Sequence, residues 1–100
     1  MLAKENRIAV RDPFARQLMD RYIGKRRADI SALRVMENQD DFASIKRKGH
    51  NLFGSGSAYG IDAISTLGSA LEKAAAQKDR KEICRLIDKL ESFITHVIIT

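Results

Sequence analysis

The middle of the chain reads Gly49-His50-Asn51-Leu52-Phe53-Gly54-Ser55-Gly56-Ser57-Ala58-Tyr59-Gly60. A single imidazole is followed by small residues, inside a run that otherwise has the periodicity of an amphipathic helix. Glycine costs a helix interior about 1 kcal/mol per position relative to alanine. The glycines at 49, 54 and 56 therefore indicate that something large must come close to His50, and favour a histidine that handles a group delivered by another protein.

Hydrophobic residues recur at helical spacing on both sides of this stretch and predict four helices, over about residues 12–37, 40–56, 60–78 and 80–97. Asp12 before Pro13 is typical of an N-cap and a first helical position, and Asp79 offers a cap for the fourth helix. No segment alternates with a period of two over a useful length, so no strand is predicted. Short connections favour an all-α antiparallel up-down four-helix bundle.

Each predicted helix has an apolar face for the core. These faces comprise Phe14, Leu18, Tyr22, Ile30, Leu33 and Met36 in the first helix; Phe42, Ile45, Gly49, Leu52 and Gly56 in the second; Ile61, Ile64, Leu67, Gly68, Leu71 and Ala75 in the third; and Ile83, Leu86, Ile87, Leu90, Phe93, Ile94 and Val97 in the fourth.

The length and composition are those of one soluble globular domain. The chain has 100 residues, of which 44% are hydrophobic and 31% charged, and residues 1–11 form an N-terminal extension to the predicted bundle. No apolar run is long enough to span a bilayer, and the first residues lack the apolar stretch of a secretory signal. The lone Cys84 is compatible with a reducing compartment. We therefore expect a cytoplasmic protein that does not contact membranes.

The charge balance favours acidic partners. The net charge is +5, and basic residues cluster at Lys25-Arg26-Arg27 and Lys46-Arg47-Lys48. Nucleic acid and an acidic protein pocket both fit this charge, but aromatic residues are only 6%, so surfaces for base stacking are scarce and nucleic acid is the weaker alternative. The two histidines, His50 and His96, lie far apart without a cysteine pair, so no metal site is predicted.

His50 is predicted to point toward solvent, because it lies to one side of the apolar face of its helix. Its neighbours on the same side are Lys46, Arg47, Phe53, Gly54 and Ser57. An exposed histidine is by itself typical of an ordinary surface, and two cations are typical of a solvated helix face. The adjacent glycines and the local positive charge favour a functional site.

These residues resemble a known family. The run Gly49-His50-x-Leu52-x-Gly54-Ser55-Gly56-x-x-Tyr59-Gly60, continued by Ile61-Asp62 and by Leu67-Gly68-Ser69-Ala70-Leu71-Glu72, is similar to the signature of histidine-containing phosphotransfer (HPt) domains. The resemblance covers nearly the whole chain. It implies a phosphorelay carrier that receives a phosphoryl group on His50 and passes it between receiver-domain aspartates, or takes it from a histidine kinase.

The resemblance also implies roles for individual residues. Glu72 matches the Glu or Gln that, in the family, binds one ring nitrogen of the histidine and leaves the other free to attack. Gly54 would leave space for the active-site loops of the receiver, and Lys46 and Arg47 would meet phosphoryl oxygens or the acidic receiver pocket. HPt domains have no kinase activity and no metal of their own, since the receiver brings the magnesium; we expect a monomer.

The chain departs from the family pattern at one position. The family carries a lysine three residues after the histidine, and this chain has Phe53. We expect Phe53 to add an apolar docking surface for a receiver helix, with Lys46 or Arg47 supplying the missing charge. The same departure keeps an alternative open, namely an HPt-like adaptor that docks receiver or kinase domains without carrying the phosphoryl group.

Overall fold

A computed structural model describes residues 6–100, with side chains from residue 7 onward. Its helices are α1 (Pro13–Asn38), α2 (Phe42–Ala58), α3 (Asp62–Ala76) and α4 (Arg80–Thr95). The four predicted helices are confirmed, and every observed end lies within two residues of its predicted position. The chain is an all-α four-helix bundle around one apolar core.

The three helix connections share one geometry, in which a left-handed residue is followed directly by the N-cap position of the next helix. The left-handed residues are Asp40 (φ 54°), Gly60 (φ 71°) and Lys78 (φ 54°). The amide of each following residue donates to a carbonyl five positions back, over 2.8–3.0 Å, in the pairs Asp41–Met36, Ile61–Gly56 and Asp79–Ala74. Such tight turns leave little freedom in how successive helices pack.

Contacts between helices define their relative directions. Tyr22 of α1 meets Ser55 of α2, and the later Asp29 meets the earlier Lys48, so α1 and α2 are antiparallel. The α2 and α3 backbones also meet in reverse order, at residues 49 with 72 and 56 with 65. An up-down order that includes α4 remains a prediction.

The α2 and α3 helices approach so closely that their backbones touch. A Cβ atom placed on Gly49 would lie 2.7 Å from the amide nitrogen of Glu72, and one on Gly56 would lie 2.5 Å from that of Ser65. A Cβ on Gly68, from the opposite side, would lie 2.5 Å from the amide nitrogen of Phe53. Gly49 and Gly56, predicted on the core face of the second helix, do lie there and permit close packing of α3. The room that the sequence predicts for them beside His50 is instead occupied by the α3 backbone.

The prediction of the α1 core face is wrong at its N-terminal end. Phe14 and Leu18 are 67% and 39% exposed, whereas Met19 and Ile23 are buried. With 26 residues α1 is about 39 Å long, against about 26 Å for the 17 residues of α2. Its first turns therefore have less of the bundle to pack against.

The prediction that the chain has no strands is also wrong. Strands β1 (Asn6–Ile8) and β2 (Val97–Ile99) form a parallel pair, and the amide of Val10 donates to the carbonyl of Thr100 over 2.8 Å. Part of the predicted N-terminal extension is thus joined to the C-terminal end of the chain; residues 1–5 lie outside the described range. Val97, assigned above to the fourth helix, instead begins β2, because α4 ends at Thr95.

Substitution of Gly56 by alanine tests the close helix approach. We expect Gly56→Ala to lower the free energy of unfolding by about 1–3 kcal/mol, because the added methyl group has only backbone atoms of α3 in front of it. Urea unfolding followed by circular dichroism measures this change. The control is Gly24→Ala in α1, where a Cβ would have nothing within 4 Å and helix propensity alone predicts a gain of up to about 1 kcal/mol. Equal effects of the two substitutions would contradict the packing role.

The N-cap of α2 predicts a pH dependence of stability. Hydrogen bonds from Ser44, from its hydroxyl and its amide, hold the pKa of Asp41 below its ordinary value of 3.8. The stabilisation is therefore fully present above that value and is lost as the pH falls through the lowered pKa. We expect Asp41→Ala to unfold at lower urea concentration at pH 7, and the difference from wild type to shrink in acid. Asp41→Asn, which can still cap, should stay close to wild type at pH 7; a wild-type advantage over Asp41→Ala that persists at the acid end would contradict this account.

Candidate functional site

His50 lies on the outer side of α2, and its side chain is 68% exposed. Its Nδ1 lies 3.3 Å from Oε2 of Glu72 on α3. This separation is just beyond the usual range of a hydrogen bond. The structure thus brings together the two residues that the sequence predicts as acceptor and orienting group.

The backbone contact between α2 and α3 explains why these side chains meet. Gly49, which precedes His50, packs directly against the backbone of Glu72. With the two backbones in contact, an imidazole and a carboxylate on the adjoining sides of the helices are within reach of each other. On α3, Ser65, Gly68 and Glu72 are spaced by three and four residues, so the carboxylate continues the face that packs on α2.

The other edge of the imidazole is open. No described residue makes a hydrogen bond or ion pair with Nε2 of His50. Gly54, one turn further along α2, is exposed, and a Cβ placed on it would have nothing within 4 Å. Another molecule can therefore approach Nε2 without displacing a side chain at position 54.

The basic run before His50 divides into two parts. Lys46 and Arg47 are exposed, and no ion pair within the described range of the chain involves either of them. Lys48 instead lies 3.1 Å from the carboxylate of Asp29 on α1, which is 8% exposed. Of the three residues in this run, Lys46 and Arg47 thus offer their positive charge to a molecule in solution.

Phe53 and Ser57 differ in what they offer. Phe53 is 45% exposed, so its ring adds apolar surface one turn from His50. The hydroxyl of Ser57 forms a hydrogen bond of 2.9 Å with that of Ser65. Since Ser57 also lies two helical turns from His50, about 10 Å along the axis, the structure does not bring it to the imidazole.

Sequence reasoning missed Ser65. Its hydroxyl donates to the carbonyl of Phe53 over 3.0 Å, and so joins α2 to α3 within the site. The signal was its spacing: Ser65 precedes Gly68 by three residues on the predicted inner face of α3. A hydroxyl among small residues at that spacing is compatible with close helix contact.

Comparison with protein-family models, with curated proteins and with solved structures gave no match to the chain. Within residues 6–100, no three or more His, Cys, Asp or Glu side chains are grouped so as to hold a metal ion. A search of the same residues found no helix with the length and apolar character that crossing a membrane requires.

The contact with Glu72 predicts the tautomer of His50. With a carboxylate facing Nδ1, the neutral ring should carry its proton there and leave Nε2 unprotonated. We expect the Nδ1–H tautomer to dominate in the wild type and to lose population in Glu72→Ala, as measured by the two ring ¹⁵N shifts at a pH where the ring is neutral. Glu72→Gln is the control, since its amide oxygen can still accept from Nδ1–H. A tautomer ratio unchanged in Glu72→Ala would contradict the orienting role.

Proposed function

We propose that the chain is a histidine phosphotransfer protein of a two-component phosphorelay, with His50 as the residue that carries the phosphoryl group. The observation that carries the proposal is the geometry of one side chain. An imidazole that is 68% exposed has a carboxylate 3.3 Å from Nδ1, while Nε2 has no partner among the described residues. This arrangement suits a nucleophile that must be oriented by its own protein and reached by another.

In the proposed transfer, the lone pair on Nε2 attacks the phosphorus of an aspartyl phosphate held by the donor. The Nε2–P bond forms as the P–O bond to the donor carboxylate breaks, and the electrons of that bond return to the carboxylate. The proton on Nδ1 stays on the ring, which gains positive charge during the attack. Glu72, facing Nδ1, stabilises that charge and holds the ring orientation. The return transfer to another aspartate reverses these steps.

Positioning and electrostatics supply most of the catalysis in phosphoryl transfer. Lys46 and Arg47 are the nearest exposed cations along α2, and they attract an acidic receiver pocket before contact. Gly54 leaves room for the loops of the receiver, and the exposed ring of Phe53 offers an apolar contact. Together these residues form a small docking surface around Nε2.

The proposed protein is a carrier and not an enzyme. It needs no cofactor of its own, because the receiver supplies the magnesium ion that neutralises the phosphoryl oxygens. Its partners are response-regulator receiver domains or a hybrid histidine kinase, which it meets as a monomer in the cytoplasm.

One observation favours a second candidate. Phe53 puts an exposed aromatic ring where the family pattern has a lysine, so charge next to the phosphoryl group is replaced by apolar docking area. An adaptor that binds receivers without accepting the phosphoryl group would use the same surface. The two candidates differ in one outcome, whether phosphate ever becomes attached to His50.

Phosphoryl transfer from receiver domains tests the proposal. Aspartyl-phosphorylated receivers of the same organism are mixed with the wild type, with His50→Gln and with His96→Gln, and the products are measured by intact mass. We expect the mass of one phosphoryl group on the wild type and on His96→Gln, removed by acid and stable to base, and no added mass on His50→Gln. His96→Gln is the matched control because it removes the other imidazole of the chain.

Two results would count against the proposal. A phosphoryl group found on His50→Gln would show that another residue is the acceptor. No label on any variant, from a donor that phosphorylates a known carrier, would favour the adaptor, and unchanged receiver binding by His50→Gln would then support it.

A further inference from the structure

A cavity of about 290 Å³ lies between α1 and α2, apart from His50. Ser55 lines this cavity. Because Ser55 follows His50 by five positions in α2, the two side chains point about 140° apart around the helix axis. The lining residues are Leu18, Arg21, Tyr22, Lys25 and Arg26 of α1, Ser55 of α2, and Tyr59 just after α2. None of these lining residues, all within the described part of the chain, is acidic.

The floor of the cavity is a fixed stack of side chains. Tyr22 is 4% exposed, and the centroids of the Tyr22 and Tyr59 rings lie 4.1 Å apart. The guanidinium carbon of Arg26 lies 4.5 Å from the centroid of the Tyr22 ring. The Tyr22 hydroxyl is 2.8 Å from the hydroxyl of Ser55, which also accepts from Nη1 of Arg26 over 3.4 Å. A ligand would thus meet a surface that is already ordered.

Arg21 and Lys25 are the cations of the cavity that have no ion pair among the described residues. Arg26 shares the carboxylate of Asp29 with Lys48, and its Nε lies 2.7 Å from Oδ2 of Asp29. No ion pair within residues 6–100 involves Arg21 or Lys25, and both are exposed. They lie one helical turn apart, where like charges repel and weaken a helix. Two such cations beside one cavity favour binding of an anion.

The walls favour an anion with an apolar part. Leu18 is 39% and Tyr59 is 41% exposed, so each presents apolar surface beside the two cations. Pairing charged donors with an apolar wall selects a small organic anion over a bare inorganic one, because the organic part is removed from water. Arg and Lys together suit the dianionic oxygens of a phosphate group.

We propose that this cavity binds a small organic phosphomonoester, with its phosphate on Arg21 and Lys25 and its organic part against Leu18 and Tyr59. The site is separate from His50 and does not depend on the proposed phosphotransfer. The bound molecule is a ligand and not a phosphoryl donor.

Titration with phenyl phosphate, followed by amide NMR spectra at low salt, tests this proposal. We expect saturable chemical-shift changes confined to residues 18–26 and 55–59. Binding should be at least about tenfold weaker in the double variant Arg21→Gln/Lys25→Gln, which changes two exposed residues of the cavity. The control Arg16→Gln/Lys89→Gln removes the same charge from exposed positions outside the cavity and should bind like the wild type. Inorganic phosphate should bind more weakly than phenyl phosphate.

Each opposite result would overturn the proposal. An equal loss of affinity for phenyl phosphate in the control variant would mean that the ligand is attracted by net charge alone. Equal affinity for inorganic phosphate would mean that the apolar wall contributes nothing to binding. Absence of saturable shifts would exclude the cavity as a binding site. The titration is repeated with His50→Gln, which should bind equally; loss of binding there would mean that the shifts report the His50 surface.

Discussion

The backbone contact between α2 and α3 is the constraint on which the rest of the structure depends. Gly49 and Gly56 on one helix and Gly68 on the other each leave space that only a hydrogen atom can occupy. Because these contacts extend over two turns, sliding one helix along the other would drive a side chain into backbone. The helix register is therefore fixed by steric exclusion, and with it the separation of the backbones that carry His50 and Glu72.

Much of the bundle could be predicted because its information is local. A period of 3.6 residues marks every helix, and Asp41 and Asp79 mark where two of them begin. The strands could not be predicted, since a three-residue strand has no measurable period and its partner lies about ninety residues away. The exposure of Phe14 was missed for a similar reason: periodicity gives the face of a helix but not how far the neighbouring helices extend beside it.

The candidate site was predicted in part. The residues on either side of His50 follow from helical spacing, whereas the choice of Glu72 came from the resemblance to a family. Nothing local shows that Lys48 differs from Lys46, although the two are adjacent to the same arginine. The difference arises because α1 places the buried carboxylate of Asp29 opposite α2, and a buried carboxylate requires cationic partners. The fold thus gives similar cations different roles: Lys48 pairs with a buried carboxylate, whereas Lys46 is left exposed to solvent.

An exposed side chain usually rotates freely. A nucleophile that serves several partners must be exposed and yet held in one orientation. In the proposed function, the two requirements fall on opposite edges of one ring. The Nδ1 edge faces Glu72, whose backbone is in contact with Gly49, so the place of the carboxylate derives from the backbone contact between α2 and α3. The Nε2 edge faces solvent beside Gly54, where no side chain blocks approach. In the proposed relay, an orienting carboxylate that the helix pair already holds beside the ring does not have to be supplied anew by each receiver.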